Sequence, residues 1–303
     1  MYKNFSPAGL GISGRQSELI ELALTYAYRG LEIDIEETHR RAQRSDFDSA
    51  ARYLNAADVL VGGFDVPVDL DSDDEAFAKQ IEEFKPAAEI GGKLGAKCAT
   101  INVPAGTDRL PYHEYFQVIT NRVTQISDIL GGHGVRLAVG FSAAADAAEG
   151  KEFEFIKNVE GFLPLVKGIG GNVGYLIDTF DWFAGMGGMD QLSEIAVDQI
   201  VSVRLSGMSD AAAPGTAKNE DRTMPKLGGT IDYLAIAQRL VDGGYDGPVA
   251  AFSAPNPVRG GTRDKVANEA QESLDAIFTD VGLTVAPRPM DLISEIVVDY
   301  IES

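Results

Sequence analysis

Short apolar runs alternate with longer stretches in which apolar residues recur every three or four positions, and the pattern continues along nearly the whole chain. The short runs, at residues 10–12, 30–35, 59–66, 97–103, 135–141, 173–178, 200–205 and 248–253, read as strands. The stretches between them have the period of amphipathic helices. Leu19, Leu22, Ala23 and Tyr26 mark the buried face of the first, with Ser17 placed to cap its start and Gly30 to end it. Phe116, Ile119, Val123, Ile126 and Leu130 form the same stripe in the fourth, stopped by Gly131 and Gly132. Parallel strands need helical crossovers, so eight such units predict a single α/β domain, a (β/α)8 TIM barrel over residues 1–286. Residues 287–303 fall outside the series. There Leu292, Ile293, Ile296, Val297 and Ile301 predict an extra C-terminal helix, able to cap the barrel or to bind another subunit in a homo-oligomer.

Side-chain direction follows from the same pattern. In a barrel strand alternate residues face inward, and the outer face must be apolar to meet the helices. Leu31, Ile33 and Ile35 are then outward, leaving Glu32, Asp34 and Glu36 on the inner face. The alternation also turns Arg136, Ala138 and Gly140 inward on the fifth strand, and Ser202 and Arg204 inward on the seventh. Several carboxylates therefore share an interior with two arginines, and buried charges must pair or stay wet.

Composition narrows the setting. With 45% apolar and 24% charged residues the chain is an ordinary globular protein, able to bury a large core. A formal net charge of −20 disfavours nucleic acid and anionic membrane surfaces as partners. Cys98 is the sole cysteine and cannot form an intrachain disulfide. No basic segment followed by a long apolar run opens the chain, so a soluble cytoplasmic protein is the simplest expectation. Gly131-Gly132 and Gly187-Gly188 lack the spacing and the Lys-Ser/Thr of a phosphate loop.

Four segments carry a resemblance: GVRLAVGF at 134–141, VGYLIDTFDW at 173–182, VSVRLSGMSD at 201–210 and GGYDGPVAAF at 243–252. With RGLEIDIEE at 29–37, LGAKCATINVPAG at 94–106 and RTMPKLGGTIDY at 222–233, they resemble the xylose isomerase-like TIM-barrel superfamily of sugar and sugar-phosphate isomerases and epimerases. The resemblance implies one divalent ion held by a Glu, an Asp, a His and a Glu on strands 5 to 8. Those positions fall here on Gly140, Asp178, Arg204 and Phe252, and a further His falls on Asp181. Glycine and phenylalanine side chains donate nothing to a metal, so neither a bound metal nor any other cofactor is expected. The two missing Glu residues would also have formed the acid/base pair of a proton transfer between adjacent carbons.

What remains defines the candidates. Asp178, Asp181 and Glu36 are the candidate catalytic carboxylates, and Arg204, paired with Asp178, is expected to replace the cation. Arg222 matches an arginine that lies near substrate in relatives, and Asp146 stands where some of them place its acidic partner. His113 opens a helix on the catalytic side. Trp182 offers either a sugar-stacking face or simple packing. His39 and His133 read as surface residues. The expected ligand is a small carbohydrate or sugar acid. Three functions fit: a divergent isomerase or epimerase without the usual metal, a non-catalytic sugar-binding protein, or a pseudoenzyme that acts through assembly.

Overall fold

The computed structural model describes residues 1–57, 59–253 and 262–289. Eight strands are β1 (Tyr2–Phe5), β2 (Gly30–Glu32), β3 (Leu60–Asp65), β4 (Cys98–Val103), β5 (Arg136–Phe141), β6 (Val173–Asp178), β7 (Ile200–Leu205) and β8 (Pro248–Ala251). Each pairs in parallel with its neighbours in chain order, and β8 closes on β1 through the register Tyr2↔Pro248, Lys3↔Val249 and Asn4↔Ala250. Around this barrel lie α1 (Gln16–Thr25), α2 (Ile35–Arg44), α3 (Phe47–Ala57), α4 (Asp74–Lys93), α5 (Tyr112–Gly131), α6 (Val159–Ile169), α7 (Thr179–Ala184), α8 (Met189–Glu194), α9 (Tyr233–Asp242) and α10 (Arg263–Asp280). This is the expected (β/α)8 barrel, with α10 as its closing helix. The extra helix expected over 287–303 lies almost wholly outside the described residues. Among the described residues, no helix is long and apolar enough to cross a membrane.

The core has two parts. Phe5, Leu31, Phe64, Phe84, Ile119, Ile126, Leu130 and Phe162 are fully buried in the main cluster, the apolar layer of barrel and helices. Each contributes about 1.5–3 kcal/mol by leaving water. Inside the barrel a small plug of Cys98, Ala138, Leu176 and Val201 fills the lower interior. Next to that plug the interior turns polar, with Thr100 and Arg204 hydrogen-bonded to each other.

Three local expectations need correction. The first strand is residues 2–5, not 10–12. Leu10 ends a short 3-10 turn (Ala8–Leu10), and Ile12 is buried in the loop that follows. A lysine hides the true strand from an apolar-pattern reading, because Lys3 pairs with Asp275 of α10 at 2.5 Å. Next, α1 is capped at Arg15 rather than Ser17, with the Glu18 carboxylate accepting from the Arg15 N–H at 3.3 Å, and Gly30 begins β2 instead of ending the helix. Finally, β2 stops at Glu32 because Asp34 caps α2, its Oδ1 accepting from the Glu37 N–H at 2.8 Å. Asp34 and Glu36 are accordingly exposed at the rim, and only Glu32 of the three faces inward.

Candidate functional site

The C-terminal mouth of the barrel holds two separate charge clusters, each organised by one arginine. The first is built at the end of β6. Asp178 closes that strand and caps α7, its Oδ1 accepting from the Phe180 and Asp181 N–H groups at 3.0 and 3.2 Å. After β7 the chain runs through a two-residue ribbon, in which Gly207–Met208 pairs with Arg222–Thr223. That ribbon lays Arg222 across the end of β6. Its Nη1 donates to both Asp178 oxygens at 2.7 Å and to Ser206 Oγ at 2.9 Å, while Nη2 donates to Asp181 Oδ2 at 2.7 Å. The guanidinium also stacks on Phe180, 4.4 Å from the ring centre. The other Asp181 oxygen accepts from the Ala143 N–H at 2.8 Å. Burial and the neighbouring Asp178 charge push the Asp181 carboxyl up to about 6, against the pull of Arg222.

The second cluster spans the barrel from β7 to β3 and β4. Arg204 is buried, stacks on Phe252 at 4.4 Å, and donates through Nη2 to Asp65 Oδ1 at 2.9 Å and to Thr100 Oγ1 at 3.1 Å. Thr100 donates in turn to Asp65. Glu32, at the end of β2, accepts from the Ser6 hydroxyl and, at 3.4 Å, from Asn4 Nδ2. Burial raises the Glu32 carboxyl above its ordinary range although Arg204 draws it down, and Asp65 adds to the rise. Asp65 goes the other way: its desolvation is outweighed by Arg204 and by hydrogen bonds from Thr100 and Arg204. Two carboxylates in one network thus differ in their hold on a proton.

The expected pair of Arg204 with Asp178 is not formed. Arg204 is bound by Asp65, and Arg222 takes Asp178. Alternation along a strand predicts which face a residue occupies, and Arg204 does face inward, but it does not predict which carboxylate lies within reach. Of the candidate residues, Asp178, Asp181 and Arg222 do meet. Glu36 does not join them; it sits in the first turn of α2, on the opposite side of the mouth. Trp182 is 1% exposed and donates to the Gly188 carbonyl at 3.1 Å, so it packs rather than presenting a face to a sugar. His113 is exposed, edge-on to Tyr112. Asp146 accepts from the Asn219 N–H and side chain at 3.0 and 3.3 Å, tying two loops together, while Asp181 serves as the acidic partner of Arg222. Asp65 is absent from the candidates: in the strand read at 59–66 it shares the parity of the outward Val59 and Val61, and only the register shift that skips Gly62 turns it inward.

The residues at the family's metal-binding positions do not fit a divalent ion. Both Asp178 oxygens are engaged by a guanidinium, and Arg204 has no lone pair to offer. At Gly140 a Cβ would come 2.3 Å from Asn102 Oδ1 and 2.8 Å from Leu176 Cδ2, so a carboxylate-bearing side chain there needs both neighbours to move. Among the described residues no group of three or more His, Cys, Asp or Glu side chains is placed to hold a metal.

Comparisons with known proteins agree with the barrel. The xylose isomerase-like TIM barrel family profile matches residues 20–277. A xylose isomerase domain protein from Alicyclobacillus acidocaldarius superposes with a TM-score of 0.82 at 20% identity, covering 93% of this chain and 99% of its own. The IolI protein with a binding zinc atom gives 0.78 at 20% identity, again over 93% and 99%. D-psicose 3-epimerase with D-tagatose, from Clostridium cellulolyticum H10, gives 0.69 at 13% identity over 93% and 99%. No curated protein sequence matches the chain. At these identities the structural likeness speaks for the fold alone, but the profile spans most of the sequence, and the chain belongs to the xylose isomerase-like TIM barrel family.

Proposed function

We propose that this protein is a divergent relative of the sugar isomerases and epimerases that binds a small carbohydrate at the C-terminal mouth of its barrel and handles protons without a divalent metal. One observation carries the reading. Arg222 occupies both oxygens of Asp178, the one carboxylate at a family metal position, and Arg204 and Phe252 fill two of the others. In place of the lost acid/base pair the mouth offers Glu32, which holds its proton to higher pH, and Asp65, which stays ionised. Carboxylates pushed apart in this way suit the acid and base roles of a proton transfer next to a carbonyl. Family membership supports the substrate class, and one structural relative is a D-psicose 3-epimerase with D-tagatose.

The test is exchange of substrate C–H for deuterium, followed by NMR over a panel of aldoses and ketoses with and without chelator. Exchange that survives chelator and is lost in Glu32→Gln is expected; exchange that needs added metal would count against the reading. Loss of the family carboxylates at Gly140 and Phe252 favours a second reading, non-catalytic carbohydrate binding. It predicts ligand-induced thermal stabilisation with no exchange.

A further inference from the structure

Glu32 and Asp65 also line a cavity of about 500 Å³ over the ends of β1, β2 and β3. Its opposite wall comes from the loop after β1 and the start of α1, with Pro7, Ala8, Ile12 and Leu19, and Pro67 completes the apolar side. The polar side is formed by Glu32, Asp34, Glu36 and Asp65, with Ser13 at the edge. Among the described residues that line it there is no lysine or arginine. In the adjoining groove between α1 and α2, Arg15 is taken by Glu18 at 2.9 Å and Arg41 by Gln16 at 2.8 Å. Behind the polar side Arg204 cancels part of the carboxylate charge, and its buried Nε–H has no acceptor among the described residues.

An apolar wall facing a row of hydrogen-bond acceptors matches a pyranose or an open-chain sugar, whose C–H face and hydroxyl edge need opposite surroundings. An anionic sugar meets the same row as like charge, with no cation among the described lining residues. Resting on the carbohydrate reading above, we infer that the ligand seat is this cavity over β1–β3, displaced from the β5–β8 side where the family's metal positions lie, and that it takes an uncharged polyhydroxy ligand while rejecting sugar acids and sugar phosphates. Glu36, exposed and without an ion-pair partner among the described residues, sets that charge preference.

Calorimetric titration and thermal shift with neutral hexoses and pentoses, hexuronic acids and hexose phosphates test the inference on three proteins: the wild type, Ser13→Trp and Glu36→Lys. Ser13 and Glu36 are both exposed, so each variant should fold, which circular dichroism would verify. The wild type should bind at least one neutral sugar and no anionic one. Ser13→Trp, which fills the cavity, should weaken that binding about tenfold or more, and Glu36→Lys should admit a uronic acid. If neutral sugars bind but Ser13→Trp leaves their affinity unchanged, the seat is wrong while the carbohydrate reading stands. Equal binding of uronic acids by the wild type overturns the charge preference. Failure of all three classes to bind the wild type overturns the carbohydrate reading itself.

Discussion

Replacing Arg222 with methionine removes a charge that two nearly buried carboxylates depend on. The Arg222 side chain is 11% exposed, and those of Asp178 and Asp181 are 10% and 4% exposed. The substitution keeps most of the stem against Phe180 but deletes all four donated hydrogen bonds. Asp178 retains two backbone donors and Asp181 one, leaving two like charges close together without a cation. Breaking a buried pair by removing one partner costs about 3–5 kcal/mol. For a chain of 303 residues that amounts to a fall of about 5–8 °C in the melting midpoint. The loss is measured by chemical denaturation and by calorimetry at pH 7. Adding Asp181→Asn to Arg222→Met should recover part of it, because the orphaned negative charge goes with the guanidinium. A loss below about 1 kcal/mol, typical of exposed pairs, would refute the reasoning, as would strictly additive costs in the double variant.

Further outcomes follow from the same geometry. Because the Asp181 carboxyl sits at about 6 in the fold and near 3.8 when free, the folded state binds the extra proton between those values, and stability contributed by this group falls as pH rises from about 4 to 6. Asp181→Asn should flatten that part of the stability–pH curve; an unchanged curve would count against it. Asp65 has the opposite sign: its contribution is present above its ordinary range and is lost as pH falls through its lowered folded value, so Asp65→Asn should reduce acid sensitivity below about pH 4. Gly140→Glu should not rebuild a metal site and should cost about 1–3 kcal/mol through crowding against Asn102 and Leu176, read by denaturant midpoint with and without added manganese. Arg204→Met should raise the Glu32 carboxyl still further, visible as a later-titrating carboxyl in infrared or NMR spectra.

The barrel was legible in the sequence because its strands are apolar on the helix side and its helices carry unbroken stripes, as at Phe116, Ile119 and Val123 of α5. Where a charged side chain took an outer position, as Lys3 does on β1, the pattern failed and the strand was placed in the following loop. Local chemistry set the end of β2 as well: a capping Asp34 outweighed the alternation that ran on through Glu36. In the site, alternation identified Glu32 and Arg204 as inward, and the resemblance singled out Asp178, Asp181 and Arg222, though with Asp146 as the acidic partner of Arg222. Pairing was not legible, because Arg204 reaches Asp65, which is 139 positions away in the chain. Strand parity carries no information about which carboxylate a long side chain will meet across a barrel.

The central claim is that arginine pairing has displaced the family's metal. Metal content by mass spectrometry, on protein purified without chelator and then equilibrated with manganese, zinc or magnesium and desalted, tests it most directly. The account predicts substoichiometric metal in the wild type and no gain in melting temperature with any of the three ions. One equivalent of tightly held ion per chain, lost in Asp178→Asn, would contradict it.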